Sequence, residues 1–143
     1  MRTLLALVLA GAAYAGGGFW LTLHSAQSPL GKQIPDAAVL VAAEGCASPA
    51  EVKLTGTAEG LVNGERRSVT LEVVPTSKPG VWAVKKSSLG EGRWILAIRA
   101  GIAGHSIGTV VELGPNGEYR AAPSVSVQEL PRRVEAALKA RAD

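Results

Sequence analysis

A single cysteine, Cys46, stands in a chain of 143 residues, so no disulfide within the molecule can staple the fold. As a small apolar residue it is expected in or near a core. A bond to another molecule and a reactive thiol are the sharper alternatives. Aromatic residues are nearly as scarce: Phe19, Trp20, Trp82, Trp94, Tyr14 and Tyr119 complete the set, which leaves the core to Val, Leu, Ile and Ala. Charge is scarce too. The formal net of +3 falls to 14 basic against 12 acidic side chains once Arg2 is set aside, and these are scattered, which argues against nucleic acid as a partner. No phosphate-cradling P-loop, dinucleotide fingerprint or cysteine pair occurs.

What is present is a globular composition, 47% apolar and 19% charged, at a length that suits one domain. Seventeen glycines and eight prolines break the chain at short intervals, which favours many short strands over long helices. The N-terminus reads as an export signal over residues 1–15. Arg2 precedes the apolar run Thr3 to Ala13, and Ala13-Tyr14-Ala15 sets small residues at the two positions a signal peptidase inspects. The rival is an uncleaved signal anchor over 3–23, since no charge falls between Arg2 and Lys32. Either reading puts the domain outside the cytoplasm, periplasmic, secreted or membrane-anchored, with membrane contact only through an uncleaved N-terminal segment.

Alternation of apolar and polar residues predicts about seven strands. They cover Phe19 to His24, Ala37 to Glu44, Glu51 to Ala58, Ser68 to Pro75, and Ser106 to Leu113, together with two arms within Val81 to Arg99. Those two arms are expected to form one β-hairpin reversed at Ser87, Ser88, Gly90 and Gly92, with Trp82 and Trp94 on a common side. Val39 and Val41 alternate with Ala38, Leu40 and Ala42, so the second strand is apolar on both faces and expects cover on both. Asn63-Gly64 is the strongest reversal signal. Strands spaced at roughly ten residues predict an all-β, immunoglobulin-like antiparallel sandwich over 16–124. The tail, 125–143, changes character: Val134 and Leu138 are four apart with Ala137 beside them, in a run of helix formers from Arg132 to Arg141. One short helix is expected, its basic side solvated, lying against a sheet or hanging free.

Few constellations suggest chemistry. Gly104-His105-Ser106-Ile107-Gly108 matches the G-x-S-x-G nucleophile elbow, but a strand pattern follows the serine and no histidine lies downstream. A Gly-rich turn is the expected structure. The carboxylates are dispersed over outward strand positions and turns, so neither a general acid nor a base stands out, and no catalytic residue is assigned. Metal ligation would have to come from His24, His105 and Cys46, a set suited to copper or zinc but without a spacing signature. No resident cofactor is expected. If Trp20, Trp82 and Trp94 are exposed they would form a stacking surface for sugar rings or a peptide, whereas core packing is the expectation for Trp82 and Trp94.

The pattern Pro79-Gly80-Val81-Trp82-Ala83-Val84 followed by Gly92-Arg93-Trp94-Ile95-Leu96-Ala97-Ile98 resembles the hairpin of bacterial exported immunoglobulin-like modules of the YtkA-like and FixH-like kind. Phe19 to Leu23 followed by Ile34 to Val41 is similar to the opening of carboxypeptidase-regulatory-like domains. The resemblance implies export and a sandwich fold. YtkA-like and FixH-like relatives imply accessory roles around metals or respiratory enzymes, although no cluster of histidine and methionine matches them here. The expected function is therefore a non-catalytic binding or accessory module of the cell envelope, with an envelope protein or surface ligand as partner. A copper-handling or oxidase-assembly accessory protein is the alternative, and a hydrolase a distant third.

Overall fold

The computed structural model of the protein describes residues 19–46 and 48–142, the side chains of 141 and 142 excepted. The signal peptide expected over 1–15 lies outside these residues. Of the rival anchor over 3–23, only its end is described, and there Trp20 to Leu23 belong to a strand.

Among the described residues the chain forms β1 (Trp20–Ser25), α1 (Pro29–Lys32), β2 (Ala37–Glu44), β3 (Lys53–Val62), β4 (Glu65–Thr70), β5 (Val73–Pro75), β6 (Val81–Lys85), β7 (Trp94–Ile102), β8 (His105–Leu113), β9 (Tyr119–Ala121), β10 (Val125–Ser126) and α2 (Leu130–Ala142). Two antiparallel sheets result, ordered β1-β2-β6-β5 and β10-β8-β7-β3-β4, with β9 also on β8. The first eight strands, taken as A, B, C, C′, D, E, F and G, give the A-B-E-D and G-F-C arrangement of an immunoglobulin sandwich with one added strand. The fold is thus the expected all-β sandwich with a short C-terminal helix. It has more strands than the seven expected, because β9 is too short to alternate visibly, because β10, where Val125 begins the tail's alternating Val125 and Val127, lies beyond the seven, and because one alternating run is divided between sheets.

That division lies at Leu71 and Glu72. Leu71 N–H still donates to Gly56 of β3, whereas the Glu72 carbonyl already accepts from Lys85 of β6. The run from Ser68 to Pro75 therefore leaves one sheet and enters the other without losing its phase. Val69, Leu71 and Val73 all stay on the inner side, so the side-chain pattern records facing the core and not the partner strand.

The expected hairpin within Val81 to Arg99 is corrected in the same way. β6 pairs with β2 and β5 in one sheet, and β7 pairs with β3 and β8 in the other. Residues 86–93, beginning in a 3-10 turn over Lys86–Ser88, carry the chain across the layer instead of reversing it within a sheet. Two facing sheets lie about 10 Å apart, a span that eight residues cover easily. Hairpins form instead at β5–β6 and β8–β9, through five-residue loops, and with two-residue turns at β3–β4, through Asn63 and Gly64 at φ 53° and 79°, and at β7–β8, through Ala103 and Gly104 at 48° and 81°. Both central residues of each two-residue turn are left-handed, the geometry that matches strand twist.

Three apolar clusters hold the layers. The main one lies between the sheets, with Val39, Val41, Val84, Leu96, Ile98 and Val111 fully enclosed. A second joins Ile95, Ala97 and Val110 on the outer face of the larger sheet to Leu130, Val134 and Leu138 of α2, so the helix is docked. The third covers the outer face of the smaller sheet, where Leu40, Ala42, Val81 and Ala83 meet Leu30 and Ile34 of the α1 segment. β2 is accordingly covered on both faces, as its continuous apolar run requires. One buried polar group is satisfied: Thr109, fully enclosed, donates its hydroxyl to the Ala122 carbonyl at 2.8 Å.

Candidate functional site

The three tryptophans separate cleanly. Trp94 is 3% exposed, faces the main core, and donates its indole N–H to the Gly90 carbonyl at 2.8 Å. Trp82 also packs against that core but is only half-buried, opposite Val41 on β2 and Pro75 on β5. The expectation of core packing holds for Trp94 and in part for Trp82. Trp20 is different: it is 51% exposed, one of two large apolar side chains so exposed among the described residues.

Alternation along β1 explains its position. Phe19 and Leu21 are buried and Leu23 packs with them, so Trp20, Thr22 and His24 fall on the outer side. Trp20 is paired with Glu44 at the end of β2, and its ring lies over Gly45. A Cβ at Gly45 would sit 2.5 Å from the Trp20 ring, and the backbone there is left-handed at φ 79°, so only glycine allows the ring to lie flat at this point.

Beside this row runs a groove of about 540 Å³. Its floor is the outer face of the smaller sheet, where Leu40, Ala42 and Val81 are already buried; its walls, Ser28 to Leu30 on one side and Lys78 to Gly80 with Pro49 on another, carry the exposed apolar side chains of Pro29 and Pro79. His24, Glu44, Gly45 and Cys46 close the rim. Glu44 is held in place by the Thr22 hydroxyl, which donates to its carboxylate at 3.2 Å, and the same hydroxyl is 3.4 Å from Nε2 of His24. An apolar floor with a carboxylate, an imidazole, a thiol and an ammonium at its margin can bury the apolar part of a ligand and orient its polar groups.

A second concavity of about 450 Å³ opens at the other end of the sandwich, where Trp94, Leu113 and Ala38 meet Lys86, Glu91 and Asn116. There the Trp94 indole already has its partner, and the concavity is the mouth of the main core between loops.

Of the expected ligand set, His24 and Cys46 line the groove, while His105 begins β8 after the β7–β8 turn and is exposed. Among the described residues no three or more His, Cys, Asp or Glu side chains form a group able to hold a metal ion. The Gly104 to Gly108 stretch is a hairpin turn running into β8, so Ser106 is followed by strand and not by the helix of a nucleophile elbow. Among the described residues, no helix is long and apolar enough to cross a membrane.

Sequence reasoning named Trp20, His24 and Cys46 but missed Glu44, Pro49, Lys78 and Pro79. The i, i+2 row of Trp20, Thr22 and His24 was legible as one face of a strand. The far wall comes from the turn between β5 and β6, brought there by sheet order, and no local pattern announces it. Compared with models of protein families, with curated proteins and with solved structures, the chain finds no match.

Proposed function

We propose that this chain is an exported, non-catalytic binding module of the cell envelope, with the groove beside Trp20 as its ligand site. The observation that carries the reading is Trp20, an indole left half exposed and laid on Gly45, a residue of the groove's rim. A large aromatic held in one orientation loses little freedom on binding, which is why such rings serve as anchors. Export is supported by Arg2, the apolar run Thr3 to Ala13 and the Ala13-Tyr14-Ala15 step. The non-catalytic reading is supported by the strand that follows Ser106, which removes the one literal catalytic motif.

The test is quantitative capture. The protein is immobilised and exposed to fractionated envelope material, and bound species are compared between the natural chain and Trp20→Ala. The proposal expects one species to be retained by the natural chain and reduced about tenfold by the substitution, the loss of a single anchor worth roughly 1 to 2 kcal/mol. Equal retention by both proteins places the site elsewhere.

A further inference from the structure

We propose that the outer face of the six-stranded sheet, with α2 lying across it, docks on an anionic lipid bilayer. Charge on this face is sorted by pairing. The side-chain ion pairs of the described residues all lie here: Arg66 with Glu59 and Glu135, Arg120 with Glu112, and Arg132 and Arg133 with Glu129. Four arginines thus offset four glutamates. Lys53 on β3, Arg99 on β7 and Lys139 on α2 are exposed on the same side, and among the described residues no carboxylate forms an ion pair with them. Together with the four paired arginines they set seven cations against four carboxylates, a local surplus of three on this face among the described residues.

The face also carries an apolar contact. Leu61 is 48% exposed, on the outer side of β3 opposite Arg66 and next to the Asn63-Gly64 turn. An aliphatic side chain on a face with a cationic surplus suits the boundary between headgroups and acyl chains, where cations meet phosphates and the apolar group leaves water. A nucleic-acid backbone offers no such apolar layer, and the cations are spread over a broad face instead of tracking a groove. Attachment by three free cations and one leucine is weak and reversible, suited to holding a module against a surface while its opposite face, with the Trp20 groove, stays open.

The experiment uses the full chain with Cys46→Ser and an environment-sensitive dye on Leu61→Cys, titrated with vesicles. The label reports burial of this face, whatever else in the chain meets lipid. Phosphatidylglycerol vesicles at low salt should shift the emission to the blue. About 0.5 M NaCl should reverse the shift, because it screens charges beyond a few ångströms, and a dye on Lys86→Cys, at the end of the sandwich, should not respond. Arg99→Glu with Lys139→Glu should raise the lipid needed for half-saturation about tenfold or more, while Lys32→Glu with Lys86→Glu, an equal loss of charge elsewhere, should leave it unchanged. No shift at position 61, an equal shift with neutral phosphatidylcholine, equal sensitivity to the two charge-reversal pairs, or preferential response to a DNA duplex or an acidic peptide would each overturn the proposal.

Discussion

At the scale of single residues, the three tryptophans show how one side chain takes three roles. Trp94 fills the main core and has its indole N–H paired, so Trp94→Ala removes packing and leaves the Gly90 carbonyl without its donor. A loss of about 3 to 5 kcal/mol is expected in urea unfolding. Trp20→Ala, at a half-exposed site, should cost less than about 1 kcal/mol while impairing ligand capture. Comparable losses for the two would contradict the roles assigned here. The sequence makes all three rings look alike, since each sits at an alternating position in a strand. What separates them is how much of the neighbouring layer reaches over each ring, and that depends on residues distant in the chain. Cys46 illustrates the same limit. Its solitude was plain, but its place on the rim of a groove with His24 depends on the turn that follows β2.

At the scale of elements, α2 is the one whose docking was open and whose face was not. Val134, Ala137 and Leu138 were legible as its apolar side from helical spacing, and they face the sheet as spaced. The seat itself is made by Gly108 of β8, where an added Cβ would stand 2.5 Å from the Leu130 side chain. Gly108→Val should therefore push the helix off its seat, costing about 1 to 3 kcal/mol and exposing Ile95, Ala97 and Val110 to a hydrophobic dye. Retained stability with no dye binding would show that the sheet has room for the added methyls. The exposed Arg66–Glu135 pair, which ties α2 to β4, contributes less: Glu135→Gln should lower stability by well under about 1 kcal/mol and less still at high salt. Strands were legible as strands because alternation reports an inner and an outer side. Their partners were not. The run from Ser68 to Pro75 and the arms within Val81 to Arg99 keep their phase through a change of sheet, since both sheets present the same inner side to the core.

At the scale of the whole molecule, the sandwich class was legible from strand spacing and turn chemistry, and the eight framework strands adopt the immunoglobulin order. The groove was not, because its floor, rim and walls come from β2, β6, the ends of β1, and the turns at Ser28 and Lys78. Only the order of strands in the smaller sheet brings these together. The proposed function rests on that assembly: one face of the sandwich is closed by a helix and carries a local surplus of cations, while the other has a groove with Trp20 beside its rim. Cys46, the only cysteine, stands on the rim and serves as a built-in reporter. The decisive measurement is its rate of alkylation by a small thiol reagent with and without the species captured from the envelope. Occupancy of the groove predicts that the rate falls at least about tenfold when that species is bound and recovers in Trp20→Ala. An unchanged rate under saturating ligand would contradict the groove as the binding site.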